Sequence, residues 1–326
     1  MLTFLCAGVA ARYSLVARSQ DAELFEGAVL VSILAGMVRV MTPILFAALG
    51  ELVTQRSGIW NMEVEGTTLM GAFTADFAAT ATGSLWLAAM AAGAAMGLLT
   101  AVLTATLRVD HFNSGLAINL LVAGLTLCWF RIYIAGRPQP IFSGFTNVSV
   151  AGLSAIPVLV PILFDQRLLT YVAFASVPAV WLLLYRTRWG LEIRCLGENP
   201  RVLDLRGLSV PATQYAAVLF GSVMTGLSGG FLMLGFSDRY LADITAGRGW
   251  LAIVALIAGH WRPVGVLAAV LVLALLESLG THAQVRGLGV PHQLFLALPY
   301  LASLLLLMGF RRHSGQPARL GLPYFR

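Results

Sequence analysis

Apolar residues run through the chain in long blocks separated by short polar stretches, and a helix needs about 20 such residues to cross the hydrocarbon layer. Blocks of that order cover Gly27–Gly50, Asn61–Thr82, Leu85–Leu107, Phe112–Ile134, Leu168–Tyr185, Ala212–Phe236, Val264–Leu279 and Pro291–Phe310. Trp250–Gly259 is too short to span comfortably, and Val158–Phe164 is preceded by Pro157 and interrupted by Pro161, so either is a candidate re-entrant segment. The pattern predicts an all-α, polytopic transmembrane bundle of about 8–10 spanning or re-entrant segments. An N-terminal tail over 1–26 precedes the membrane domain over 27–310, a polar loop interrupts that domain over 186–211, and a second tail covers 311–326.

Composition agrees. Of the 326 residues 58% are hydrophobic and 11% charged, with a mean hydropathy of +0.83, whereas soluble domains carry about 25% charged residues. All 21 basic residues counted as Lys+Arg are arginines, which excludes a lysine Schiff base and a phosphate-loop lysine. The net charge of +6 does not form a basic domain for nucleic acid. Arg186, Arg188, Arg194, Arg201 and Arg206 crowd one loop, while Arg311, Arg312, Arg319 and Arg326 crowd the C-terminal tail, so both are expected in the cytoplasm. Counting spans outward puts the N-terminus outside, together with Ala135–Gln166, the longest external connection. Met1–Ala11 lacks a basic start and reads as a loose tail rather than a cleaved signal. Cys6, Cys128 and Cys195 make no disulfide or thiol pattern.

Two catalytic patterns fail on context. Gly226–Gly230 matches a nucleophile elbow but lies inside an apolar helix, and Gly247–Ala252 brushes the dinucleotide fingerprint without a strand before it, so it reads as a hinge. The histidines never pair at metal-ligand spacing, so neither metal nor cofactor is expected. Gly93 with Gly97, and Gly226 with Gly230, make small-xxx-small pairs suited to close helix packing. Charge inside the apolar blocks is the better lead: Arg39, Asp76 and Glu277 are costly in lipid and call for a partner or a pathway. Asn61, Glu65 and Asp76 fall on one face at 100° per residue, with Glu63 on the other, so a polar stripe is expected to line the bundle. Arg39 would pair with Asp76 or Glu277, or serve that pathway.

Arg188–Gly207 carries the most local information. Asn199 suits an N-cap, Pro200 the first helical position and Gly207 the residue after the C-cap, which predicts a short helix between spans. Leu203 and Leu205 are left to pack elsewhere, and a partner's groove would supply that burial.

This stretch, with Gly197, Glu198, Asn199, Pro200, Arg201, Asp204 and Gly207, resembles the coupling loop of ABC importer permeases of the branched-chain amino acid, monosaccharide and nucleoside class. Further matches run in order: Arg39–Pro43, Ala48–Gly50, Arg56–Gly58, Asn61 with Glu65 and Gly66, Gly71–Phe73, Arg108–Asp110, Ser114 with Gly115, and Asn119–Leu121. Gly249–Ile253, Gly259–Pro263, Leu298–Leu301 and Gly321–Tyr324 continue the set, which is similar to the simple-sugar and nucleoside branch. The resemblance implies a permease in a bacterial plasma membrane, docked through the coupling loop on an ATP-binding subunit. It also implies a second permease and an extracytoplasmic substrate-binding protein, with Arg39, Asn61, Glu65, Asp76 and Asn119 as candidates for the pathway. Glu63 stands where that family usually has glycine, and Asp204 and Leu205 where small residues are common.

Two rivals remain. An ion-coupled secondary transporter would use Glu65 and Asp76, and an integral membrane enzyme would use Glu63, Glu65 and Asp110 as acid and base, without a histidine pair, metal cluster or lysine to help.

Overall fold

The computed structural model describes residues 27–81, 85–135, 147–149, 160–237, 240–285, 292–309 and 315–325. The expected tail over 1–26 and the arginines 311 and 312 lie outside them. Nine apolar helices occur among the described residues, close to the blocks expected from the sequence: α1 Gly27–Arg56, α2 Val64–Ala81, α3 Leu85–Ala101, α4 His111–Trp129, α5 Leu168–Arg186, α8 Val210–Phe231, α9 Arg248–Ala258, α10 Pro263–Val285 and α11 His292–Gly309. Two short polar helices, α6 Arg188–Glu198 and α7 Pro200–Leu205, stand between α5 and α8. Single π-helical turns extend α3, α4 and α8. Six helices among the described residues, α1, α3, α4, α5, α8 and α10, are long and apolar enough to cross a membrane.

Between α4 and α5 a two-stranded antiparallel ladder joins β1 Asn147–Ser149 to β2 Asp165–Arg167, with Asn147 opposite Arg167. The π-turn Val160–Phe164, the described part of the candidate re-entrant piece, leads into β2 and packs on α1.

The bundle is built around α8, which packs against α1, α2 and α3. No hydrophobic force draws apolar helices together in lipid, so close backbone approach and side-chain hydrogen bonds take that role. Glycines supply it on every side: Gly221 meets Gly50 of α1, Gly226 meets Gly71 of α2 and Gly93 of α3, and Gly229 meets the Thr68 carbonyl of α2. Gly97 lies on Ser222 and Gly230 on Ala89, so both small-xxx-small pairs anticipated from the sequence serve one α3–α8 contact. Ser228, the centre of the false nucleophile elbow, donates to the Pro43 carbonyl of α1 at 2.7 Å. Val40–Leu49 of α1 form the main apolar core with Leu251–Ala258 of α9 and Val266–Ala274 of α10.

A side chain at Gly226 collides with the Ala89 carbonyl, whereas a Cβ at Gly124, on exposed α4, meets nothing within 4 Å. Gly226→Val is therefore expected to lower stability by about 1–3 kcal/mol or more, while Gly124→Ala leaves it unchanged or improved; thermal unfolding of the purified proteins in detergent checks both.

Candidate coupling face and polar junction

The chain turns sharply from α5 into α6. Thr187 accepts the Gly190 N–H at 3.0 Å and donates to the Leu183 carbonyl at 2.6 Å, and Gly190 leaves room for the Leu183 backbone. α6 buries Ile193, Leu196 and Gly197, with Gly197 seated directly on the carbonyl of Arg56, the last residue of α1. The C-terminal stretch closes over this seat: the Arg319 N–H donates to the Gly197 carbonyl at 2.9 Å and the Gly321 N–H to the Gly58 carbonyl at 3.0 Å. The Ala318 N–H donates to the exposed Glu198 at 3.4 Å. On the inner side the Arg56 guanidinium donates to the Trp261 carbonyl, at 3.1 Å from Nε and 2.7 Å from Nη2, in the turn between α9 and α10.

α7 follows at once and is the short helix expected between Asn199 and Gly207, whereas α6 before it was not anticipated; the two are separated where Asn199 adopts an extended conformation. Asn199 caps α7 by accepting the Arg201 N–H at 3.2 Å, and Pro200 opens it. Gly207, at φ +75°, ends it as expected, its N–H bonding the Asp204 carbonyl while Leu208 N–H bonds that of Leu203. The two leucines divide: Leu203 is buried against Leu196 and Val210, and Leu205 is 89% exposed. Leu203 is thus spent within the chain. The outward face of α7 consists of Arg201, Val202, Leu205 and Arg206. Beside it lies a cavity of about 450 Å³ lined by Arg108, Asp204, Leu208, Gln214 and Tyr324 among others, with the Tyr324 hydroxyl donating to Asp204 at 3.2 Å.

Behind this face sits a polar junction. After α1 the chain runs back along α4, its Trp60 N–H bonding His111 at the start of α4 and its Met62 carbonyl bonding Asn119 two turns on. Asn119 Nδ2 donates to Met62 at 2.5 Å and its Oδ1 accepts the Gly66 N–H at 2.6 Å, so one side chain fixes the entry into α2. Glu65 accepts the Gly247 N–H at 2.9 Å and the Gly249 N–H at 2.7 Å, capping the positive end of α9. Gly247, at φ +80°, makes the turn into α9.

The proposed polar stripe is not one stripe. Asn61 precedes α2 and is fully buried, its Oδ1 accepting the Glu63 N–H at 3.0 Å, and Glu63 is sealed in rather than turned away. Asp76, near the other end of α2, is buried beside the backbone of Tyr240. Arg39 pairs with neither acid considered for it: Glu277 forms an ion pair with Arg248, and Arg39 is exposed without an ion pair among the described residues. The structure therefore gathers Asn61, Glu65 and Asn119 at the α2 entry and leaves Arg39 and Asp76 apart.

Sequence reasoning overlooked Glu51, Gln55, Thr67, Thr100 and Trp261. Gln55 donates to Glu51 at 2.9 Å and accepts from the Trp261 indole at 2.7 Å. The Glu51–Gln55 spacing of four residues on α1 was the available signal. Burial pushes the carboxyl of Glu63, in the connection between α1 and α2, up to about 8.

Glu65 and Glu277 are occupied in holding helices, and the helices they hold make a multi-pass membrane protein. The family described as branched-chain amino acid transport system, permease component, matches residues 32–308, and the chain belongs to it. It is 33% identical to the guanosine ABC transporter permease protein NupQ of Bacillus subtilis over 87% of this chain and 93% of the relative. It is 31% identical to the nucleoside ABC transporter permease protein NupC of Lactococcus lactis over 90% and 96%, and 33% identical to the putative glucose ABC transporter permease protein TsgC13 of Haloferax volcanii over 79% of each. No solved structure matches the chain. The chain is a permease subunit of the ABC importer class.

Asn119→Ala leaves the Met62 carbonyl and the Gly66 N–H without their partner, each worth about 1–3 kcal/mol when buried. The expected result is a clear fall in the unfolding temperature of the purified protein, larger than that of Asn113→Ala on the exposed start of the same helix.

Proposed function

We propose that this chain is one of two permease subunits of an importer for nucleosides, purines or simple sugars, driven by an ATP-binding subunit that docks on α6 and α7. The observation that carries this reading is the outward face of α7, where Leu205 and Val202 stand exposed between Arg201 and Arg206 on a helix capped at both ends. A helix of six residues is marginal alone, and its attachment to α6, whose Gly197 is seated on the backbone of α1, makes it a lever. Force applied to α7 passes through Gly197 to Arg56, and from Arg56 to the α9–α10 turn. An ATPase biases one state of the permease over another only through contacts that differ between them.

The loop arginines and Arg319 share one end of the bundle through the Gly197–Arg319 bond, which supports a cytoplasmic placement of that end and of the C-terminal stretch. An extracytoplasmic binding protein would deliver substrate at the opposite end. Exposed Arg39, about 18 Å along α1 from Gly27 at 1.5 Å per residue, calls for cover by a second permease or for water in a shared pathway. The names of the relatives support nucleosides first and sugars second. The secondary-transporter reading is weaker because both Glu65 oxygens are engaged by backbone N–H groups.

Glu198→Arg, or replacement of Asn199–Leu205 by Gly and Ser, is expected to leave membrane insertion intact and uncouple ATP hydrolysis from uptake. Purification from the native membrane is expected to recover an ATP-binding subunit with the wild type and much less with either variant. Full uptake by a well-expressed variant, or reproducible recovery of the wild type without any ATPase, would overturn the assignment.

A further inference from the structure

Six buried polar atoms converge behind the coupling face without a hydrogen-bond partner: Glu51 Oε2, Asn61 Nδ2, both carboxyl oxygens of Glu63, Thr67 Oγ1 and Thr100 Oγ1. They come from α1, the α1–α2 connection, α2 and α3, and none of the five residues exceeds 2% exposure. The Asn61 amide is within reach of Glu51, and the Thr67 and Thr100 hydroxyls are within reach of Glu63, whose charge acts on the neighbouring Glu51. Orphaned buried polar atoms are rare in folded proteins, and a concentration of them marks a missing component.

The missing component carries positive charge. The charged and titratable groups of the surrounding elements are few: Arg39, Glu51 and Arg56 on α1, Glu65 and Asp76 on α2, none on α3, His111 and Cys128 on α4, Tyr215 on α8, and Arg248 on α9, which is paired with Glu277. Arg56 is turned to Trp261, His111 accepts from the Trp60 N–H, Glu65 caps α9, and Arg39 is exposed, so no cation of these elements serves the two acids. A carboxylate sealed from water without a counter-charge is strongly disfavoured, and two side by side more so. A metal ion fits poorly, because the two acids have no third His, Cys, Asp or Glu beside them to complete a ligand set among the described residues. A proton fits: Thr67 and Thr100 can each bond a neutral carboxyl as donor or acceptor.

We propose that Glu63 is a buried proton-binding site, its carboxyl neutral at neutral pH and facing Glu51 across the junction between α1 and α2. Binding takes one proton from water onto a Glu63 oxygen. Loss of that proton places a negative charge in the sealed junction beside Glu51 and loosens the contact that links the end of α1 to the start of α2.

The folded-state value of Glu63, about 8, lies above the ordinary glutamate value of about 4.3. Its contribution to stability is therefore complete at acid pH, declines as pH rises through that window, and is gone above it. Infrared spectra of the purified full chain at neutral pH are expected to show the C=O band of a neutral carboxylic acid that moves in heavy water and loses intensity in Glu63→Gln. The unfolding temperature of the wild type should fall between pH 6 and pH 9 (chosen to bracket about 8) by several degrees more than that of Glu63→Gln. If Glu63→Gln does not fold, Glu63→Gly supplies the same comparison. A band untouched by either variant, or equal pH dependence with and without Glu63, overturns the proposal. So does saturable stabilisation of the wild type, but not the variant, by sodium over choline at fixed pH, which would assign the site to a metal ion.

Discussion

Backbone contact at glycine is the constraint on which the rest of this molecule depends. α8 touches α1, α2 and α3 at once, and at each contact the space that a Cβ would occupy belongs to another helix's main chain. Three helices cannot close on a fourth in this way around ordinary side chains. That closeness positions Glu51 on α1, Thr67 on α2 and Thr100 on α3 within one sealed cluster. The polar junction is thus a by-product of tight packing as much as of its own hydrogen bonds.

The same economy of space governs the coupling face. Gly190 lets α6 fold back against α5, and Gly197 lets it rest on α1 without an intervening side chain. Side chains bend and change rotamer, but a carbonyl pressed against a Cα does not. The backbone seat of α6 thus ties the coupling face to the end of α1, and the Arg56–Trp261 bonds tie that end to the turn after the short helix α9. At the far end of α9, Glu65 ties it to the entry of α2.

Much of the fold was legible because hydrophobic runs and local caps are properties of contiguous sequence. The apolar blocks became the helices, and Asn199, Pro200 and Gly207 act within a few residues of where they stand. The junction was not legible because its partners are far apart in the chain: Glu65 and Gly247 are separated by 182 residues, and Gln55 and Trp261 by 206. Periodicity placed Asn61 on a helix that begins only at Val64, since a capped entry and a helical turn look alike when the residues are mostly apolar. The pairing imagined for Arg39 failed because Arg248, taken as part of a hinge, lies against Glu277 through the packing of α9 on α10. What opposes what is decided by helix docking, and no local pattern encodes it.

The C-terminal stretch carries one more consequence. Residues 315–325 follow every helix in the chain, yet their N–H groups complete the seat of α6 on α1 at Gly197 and Gly58. A ribosome delivers them after all the spans have emerged. During synthesis the described helices are made before this clasp, so a chain truncated ahead of residue 315 would have those helices but lack the hydrogen bonds that close over the seat of α6.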